Sequence, residues 1–411
     1  MKLTPECINN ICKKYGDSFY ILDTDRFRQN FIELQEEFRK YYSKSYIAYS
    51  YKTNYIPRLC KVINDLGGYA EVVSDMESDI ALKVGVVPDK IIFNGPYKKK
   101  ETVENLLLAG AGVNIDSTYD FQMVLDLAQR NPDKVIGIGL RCNFDIGDGV
   151  TSRFGFDVGD SAFKEVLNRI KKEENLYLRG FHCHFASRNI DTWKIKVEKM
   201  LEVARKGYEG VPEFISFGGG IFGKMEEMLK RQFNSYIPDF KEYAEVIAKR
   251  FSVEFQDCTD YQKPKLFIEP GSALVGDVMQ FVSRIVSIKQ VRGKSIATLL
   301  GSVYNINPTL NGKNPPIEIV NTSGLQQDEY VDLDFGGYTC IESDYLYKDF
   351  HGNCSIGDHV VFGNVGSYSI VLKPPFILPN FPVLEIKGDG RELSLVKSEE
   401  VFEDLFRTYQ F

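Results

Sequence analysis

The chain has 411 residues, 43% of them hydrophobic and 26% charged, which is long enough for two cores and too apolar for a disordered chain. A formal net charge of −7 excludes a general nucleic-acid or membrane-surface binder, because such proteins present basic patches. No apolar run approaches the ~20 residues that span a bilayer, the start lacks a signal-peptide core, and the eight cysteines form no CxxC pair, so reduced thiols in the cytoplasm are expected.

The first strand-like run is Phe19–Leu22. From about residue 45 to 270, short apolar runs alternate with amphipathic segments. The runs are Tyr46–Tyr51, Tyr69–Val73, Ile91–Asn94, Val113–Ile115, Val135–Leu140, Leu178–His184, Glu213–Phe217 and Lys265–Glu269. Most are β-branched or aromatic and too short for buried helices, so they read as strands. Helical patterns lie between them, among them Ile56–Leu66, Val103–Ala109, Phe121–Gln129 and Val197–Arg205. The basic run Lys98-Lys99-Lys100 leads into one of these and reads as a solvated turn. Repeated strand–helix alternation implies parallel strands with right-handed crossovers, and eight units close a (β/α)8 TIM barrel. An open doubly wound sheet is the competing arrangement.

After Pro270 the texture changes. Val278–Val286, Ser295–Leu300, Ile317–Val320, His359–Phe362 and Val383–Ile386 are short runs separated by Gly, Pro, Asn and Asp, the pattern of a mostly antiparallel β domain. Phe19–Leu22 is assigned to the same domain, and a last helix is expected over Glu399–Tyr409. The expected division is a barrel over 25–270 and a β domain formed by 1–24 and 271–411.

Barrel enzymes place their chemistry at the C-terminal ends of the strands. Lys52 ends the first barrel strand, where partial desolvation would lower its pKa and leave a nucleophilic amine; it also reads as a surface lysine. His182 and His184, two apart on the sixth strand, share a face. They read as metal ligands, as an imidazole packed on a planar group, or as core histidines. Zinc needs three or four ligands, and the other two histidines, His351 and His359, lie far along the chain. Gly218, Gly219 and Gly220 follow the seventh strand, where barrels often hold phosphate; a flexible turn is the alternative. Glu269 ends the eighth strand and is placed either to bond a protonated ring nitrogen or simply to precede a Pro-Gly turn. In the β domain, Cys340 and Tyr368 follow glycine turns and read as packing residues or site residues.

In this order, SFYILD, AYSYKTN, EVVSDMESDIAL, IIFNGPYKK, GFHCHFAS, SFGGGIFG, IEPGSALVGD, CIESD and GSY resemble the pyridoxal-phosphate decarboxylases of the alanine-racemase-like fold type, which include diaminopimelate, ornithine and carboxynorspermidine decarboxylases. The resemblance covers nearly the whole chain. It implies pyridoxal 5′-phosphate as cofactor, a small amino acid as substrate, and a homodimer with active sites at the interface. It assigns Lys52 to the Schiff base, His184 to the ring face, Ser187 and Gly218, Gly219 and Gly220 to the phosphate, and Glu269 to the ring nitrogen. It assigns Cys340 to catalysis, Asp344 to the substrate and Tyr368 to the phosphate, these three entering from the partner subunit.

The chain departs from the pattern at two places. Ser272 stands where many relatives place an arginine, and Ile341 stands where ornithine-type and diaminopimelate-type enzymes place an acid. Carboxynorspermidine-type enzymes share both departures, and Glu342 is the nearest acid to Ile341. Arg188 and Arg153 are the candidates to hold a distal carboxylate. Racemases of this fold use a tyrosine as the opposite base, so Cys340 favours decarboxylation over racemisation. A metal-dependent hydrolase built on His182 and His184 is the more distant alternative.

Overall fold

The computed structural model describes residues 3–387 and 392–410. The chain divides into two compact units: Arg28–Gly223 with Ser235–Ala273, and Met1–Phe27 with Lys224–Asn234 and Leu274–Phe411.

The first unit is a closed parallel barrel. After β1 (Ser18–Leu22) of the other unit, its strands are β2 (Ser45–Ser50), β3 (Tyr69–Val72), β4 (Ile91–Phe93), β5 (Gly112–Ile115), β6 (Ile136–Asn143), a two-residue β7 (Phe156–Asp157), β8 (Leu176–His182), β9 (Phe214–Ser216) and β10 (Lys265–Ile268). Each pairs in parallel with the next, β7 extends β6 at one edge, and pairing of β10 with β2 completes the ring. All eight runs expected as barrel strands form them. The four helical patterns also form, as Pro57–Asp65, Lys100–Leu108, Thr118–Arg130 and Ile190–Gly207.

The period-2 alternation of the strands builds the interior in layers. Ala48, Tyr69, Ile92, Phe214 and Phe267 form one apolar cluster, with Tyr46 packed against it. Tyr69 and Phe267 meet edge to face at 4.8 Å. Two residues further along their strands, Ser50, Glu71, Asn94, Ser216 and Glu269 are polar and buried. The glycines of β6 and β8 make room for this filling: a Cβ on Gly139 would meet Asn114 Oδ1 at 2.0 Å, and one on Gly180 would meet the Phe214 carbonyl at 2.1 Å.

Lys98 corrects one expectation. It is buried, not a solvated turn: its Nζ donates to Asp120 at 2.5 Å and to the Gly95 carbonyl at 2.7 Å. Beside it, buried Arg141 of β6 pairs with Asp116 at 2.9 Å. The run of three lysines hides one member whose charge is matched inside the barrel wall.

The second unit is built on a nine-stranded sheet of β1, β11 (Met279–Val291), β12 (Lys294–Leu299), β13 (Ile317–Val320), β14 (Asp328–Gly336), β15 (Tyr345–Cys354), β16 (His359–Phe362), β17 (Val383–Lys387) and β18 (Glu392–Lys397). Most pairings are antiparallel; β1–β17 and β12–β14 are parallel. The β11–β12 hairpin turns on Arg292 and Gly293, both at positive φ, as a two-residue turn of matching twist requires. The opening strand joins this sheet as expected. An N-terminal helix, Pro5–Tyr15, also belongs here. Thr4 caps it and Pro5 opens it, a start signal legible in Thr-Pro-Glu. Its Ile8 and Ile11 pack with Phe19, Ile21, Val282 and Leu384. The expected closing helix is shorter than Glu399–Tyr409 and spans Phe402–Phe406. The eight cysteines are free thiols, and no helix among the described residues is long and apolar enough to cross a membrane.

Candidate active site

β2 ends at Ser50, and a single tight turn, Tyr51–Thr53, carries Lys52 at the C-terminal end of the barrel. Lys52 Nζ donates to Ser50 Oγ at 2.7 Å and to Glu71 Oε2 at 2.6 Å. Burial acts to lower the ammonium pKa, but Glu71, and beyond it Glu269 and Glu77, more than compensate, and the net shift is upward. The expectation of an amine depressed by desolvation is corrected on this point: a buried carboxylate in hydrogen-bond contact outweighs the burial.

Glu269 follows β10, next to β2 in the ring. Its carboxylate is buried and accepts from Ser216 Oγ at 2.7 Å and Asn94 Nδ2 at 3.1 Å, with His182 Nε2 at 3.0 Å. Burial pushes its pKa up; His182, Ser216 and Lys52 overcome this and hold the carboxyl well below its usual range. Asn94 also donates to Glu71 Oε1 at 3.0 Å and accepts from Asn114 Nδ2 at 2.7 Å. One continuous polar belt therefore runs from Lys52 through Glu71 and Asn94 to Glu269 and His182. Of its members, the residue-by-residue reading of the sequence singled out Lys52, Glu269 and His182. It missed Ser50, Glu71, Asn94, Asn114 and Ser216. For Ser50, Glu71, Asn94 and Ser216 the signal was present: each stands two positions after an apolar core residue, Ala48, Tyr69, Ile92 or Phe214, whereas Asn114 follows Gly112 and had none.

The two histidines do different work. β8 ends at His182, with a last bond to β9 from the Cys183 N–H to the Ser216 carbonyl at 2.9 Å, and His184 lies beyond the strand. His184 Nδ1 accepts from the Gly219 N–H at 2.9 Å, which leaves the proton of the neutral ring on Nε2. Burial, with Lys52 and Lys196 adding to it, keeps its pKa well below the usual value. Among the described residues neither histidine belongs to a cluster of metal-ligating side chains.

Gly218, Gly219 and Gly220 follow β9 and need to be glycine. Gly218 has φ 64° and Gly220 φ 94°. A Cβ on Gly218 would meet the Cys183 carbonyl at 2.5 Å, on Gly219 the Glu269 carbonyl at 2.6 Å, and on Gly220 the Ser187 carbonyl at 2.7 Å. The run is thus wedged against the His184–Ser187 segment and the end of β10. Among the described residues the N–H groups of Gly220 and Ile221 have no protein acceptor, the condition of a backbone anion cradle.

Ser187 Oγ bonds to Thr192 Oγ1 at 2.9 Å. The Arg188 guanidinium lies 5.2 Å from the Phe222 ring, and its carbonyl accepts from Tyr243. Arg153 is exposed and stacks 4.1 Å over Phe154. Lys196, missed in the sequence, is buried on the helix Ile190–Gly207, whose first turn Asn189 caps. Its Nζ donates to the Gly219 carbonyl at 3.2 Å and sits 3.6 Å from the Trp193 ring centre.

The remaining candidates belong to the β unit. Cys340 is exposed on the loop between β14 and β15. Asp344 shapes that loop: its Oδ1 accepts from Ser302 Oγ at 2.9 Å and Val303 N at 2.7 Å, and its Oδ2 from Thr339 Oγ1 at 2.6 Å and Thr339 N at 3.3 Å. Ile341 and Glu342 lie on the same loop, Glu342 exposed. Tyr368 adopts φ 65°, a left-handed conformation costly for a tyrosine and typical of functional turns.

The family model described as pyridoxal-dependent decarboxylase, pyridoxal binding domain, matches residues 28–276. The diaminopimelate decarboxylase of Methanothermobacter thermautotrophicus is 25% identical over 97% of this chain and 92% of its own length. A crystal structure of diaminopimelate decarboxylase from M. jannaschii superimposes with a TM-score of 0.85 at 22% identity, covering 98% of this chain and 94% of that one. One from Helicobacter pylori, complexed with L-lysine, gives 0.81 at 22%, covering 97% and 98%. At these identities the structural likeness speaks for the fold, and the family match covers more than half of the chain. The alanine-racemase-like fold and the matched residues 28–276 together make this chain an enzyme of the pyridoxal-dependent decarboxylase family.

Proposed function

We propose that the chain uses pyridoxal 5′-phosphate, with Lys52 as the amine that would meet its aldehyde, to decarboxylate a small amino acid with a second charged group, diaminopimelate being the first candidate. The observation that carries this reading is the polar belt: it puts an amine and a fully hydrogen-bonded carboxylate, Lys52 and Glu269, at one barrel mouth beside a glycine cradle. The donor set fits the cofactor, because amine, acid and cradle answer its aldehyde, ring nitrogen and phosphate. When bound, pyridoxal phosphate supplies a sink for the electron pair left at Cα as CO2 departs.

Glu269, kept ionised by His182, Asn94 and Ser216, would hold a proton at the ring nitrogen. His184, neutral and fixed by Gly219, packs as an uncharged plane. Gly218, Gly219, Gly220 and Ser187 would bind the phosphate, with Tyr368 from a second copy. Lys52 gives up a proton to act as nucleophile, and Glu71, whose charge holds that proton on the amine, sets how readily it leaves. Cys340 returns a proton to Cα, and the exposure of its loop supports delivery to another copy in a homodimer. Asp344 sets the shape of that loop. Arg188 is better placed than exposed Arg153 to meet a distal carboxylate, because Phe222 and Tyr243 fix it. The domain assignment that follows is a cofactor-binding barrel over about 25–270, with 1–24 and 271–411 as the β domain that supplies Cys340.

Ser272 and Ile341 favour one second reading, a carboxynorspermidine-type substrate whose distal end needs no acid at position 341. The deciding experiment measures CO2 release from diaminopimelate, lysine, ornithine, arginine and carboxynorspermidine with cofactor supplied. Release from diaminopimelate, with lysine formed, supports the first reading. Release from carboxynorspermidine alone replaces it with the second. No release from any, with no visible absorbance on adding cofactor, overturns both. Sedimentation at twice the chain mass, and regained activity on mixing Lys52→Ala with Cys340→Ala protein, test the shared site.

A further inference from the structure

Lys196 is a buried cation without an anion. Its residue is 2% exposed, and its contacts are the Gly219 carbonyl at 3.2 Å and the Trp193 ring at 3.6 Å. Among the described residues no carboxylate lies within ion-pair distance of it. Glu269, the one carboxylate whose charge acts on it, is already bonded by Ser216, Asn94 and His182. A carbonyl dipole and an aromatic face only partly replace the water an ammonium loses on burial.

The same helix makes a second contact with the run. Trp193 Nε1 donates to the Gly220 carbonyl at 2.7 Å. Lys196 and Trp193 therefore anchor two successive carbonyls of the glycine run. In each trans peptide the N–H points opposite the carbonyl, so the Gly220 and Ile221 N–H groups point away from the two held carbonyls, and among the described residues they have no protein acceptor.

We propose that Lys196 is the positioning residue of the phosphate cradle: it fixes the Gly219 carbonyl from beneath and supplies the buried positive charge that a bound phosphoryl dianion neutralises. This rests on the reading that the glycine run takes the phosphate of pyridoxal phosphate. The cost of burying the ammonium is then recovered on binding, so the site discriminates for a phosphorylated ligand. Burial draws the Lys196 pKa down to about 8, so the amine keeps its charge at neutral pH, and an anion nearby strengthens that preference.

Trp193 is the only tryptophan of the chain, which makes its emission a reporter confined to this cradle. The experiment titrates full-length apoprotein with pyridoxal 5′-phosphate, pyridoxal and inorganic phosphate, following Trp193 emission, for wild type, Lys196→Met and Lys196→Arg. Far-ultraviolet circular dichroism checks that each variant folds. Wild type should respond to inorganic phosphate and bind the phosphorylated cofactor more tightly than pyridoxal. Lys196→Met should lose about tenfold or more in affinity for pyridoxal phosphate, lose the phosphate response, and keep pyridoxal affinity within about twofold. Lys196→Arg should restore part of the difference.

Equal losses for pyridoxal and its phosphate in Lys196→Met would reduce Lys196 to a packing role and overturn the inference, as would unchanged affinities. If Lys196→Met fails to fold, the wild-type phosphate titration decides, and an absent Trp193 response overturns the inference. Wild type that binds neither pyridoxal form overturns the proposed function itself. Wild type that binds both forms alike leaves that function standing and removes only the role of Lys196.

Discussion

Asn94 and Glu269 are joined by a 3.1 Å hydrogen bond, and the same Asn94 nitrogen reaches Glu71 at 3.0 Å. Through this one amide the acid beside Lys52 and the acid assigned to the ring nitrogen share a donor. The two ends of the candidate site are therefore electrically linked, and a change at one is expected to register at the other.

Glu71→Gln should lower the pKa of Lys52. Glu71 raises it at present, and an ammonium must lose a proton before its nitrogen can attack an aldehyde. Below the pKa, each unit of lowering gives about tenfold more free amine. Capture of pyridoxal phosphate by the apoprotein should accelerate at pH 7–8, and the rise of rate with pH should move to lower pH. Stopped-flow absorbance measures this; equal or slower capture would remove Glu71 as the controlling group.

Gly218→Ala should destabilise the barrel by roughly 2 kcal/mol or more, combining a left-handed backbone with overpacking. The added Cβ would press on the Cys183 carbonyl at 2.5 Å and on His184 Cβ at 2.8 Å. Gly210→Ala is the control: its φ is 92°, and a Cβ there meets nothing within 4 Å, so strain acts alone. Thermal melting should separate the two, and cofactor affinity should fall only in Gly218→Ala.

Asp344→Ala should cost on the order of 2–3 kcal/mol, because it strips acceptors from the buried Ser302 hydroxyl and Val303 N–H. The same change frees the Cys340 loop, so CO2 release should fall together with the melting temperature. Asp344→Asn, which keeps one acceptor oxygen, should fall between the two. Full activity in a destabilised Asp344→Ala would disconnect the loop from catalysis.

His359 makes stability depend on pH. Burial lowers its pKa to about 4, with Arg284 adding to this and Asp17 opposing it. The unfolded side chain titrates near ~6.5. Between those values the unfolded chain binds more protons, so stability present above pH ~6.5 is lost as pH falls toward 4, by at most about 3 kcal/mol. Denaturant titrations of wild type against His359→Gln should differ in slope across that window; parallel curves would assign the acid sensitivity to other groups.

The barrel was legible because its strands are short apolar runs at regular spacing, and their ends pointed to Lys52, Glu269 and the glycine run. The polar belt was harder to see. Glu71 and Asn94 each look like an ordinary polar residue closing a strand, and only ring closure brings residues of β3, β4, β8 and β10 to one point. Lys98 and Lys196 were misread or missed for a shared reason: lysine in a helical or basic stretch reads as solvated, and nothing local announces Asp120 or the Gly219 carbonyl as its partner. His184 was placed on a strand because alternation carries no signal for where pairing stops, and the last pairing partner, Ser216, lies on another strand. In the β unit, β14 and β15 escaped notice because their exposed faces dilute the apolar pattern.

The position of β1 has a consequence for synthesis. This strand lies between β11 and β17, so a strand made before the barrel waits for one made after it. Every barrel strand has emerged by Ile268, and the ring can close while β1 still has an open edge. An unpaired strand edge invites pairing with another chain. Nascent chains that stall before Val383–Lys387 is made are thus the ones expected to aggregate and to need a chaperone on their amino-terminal segment.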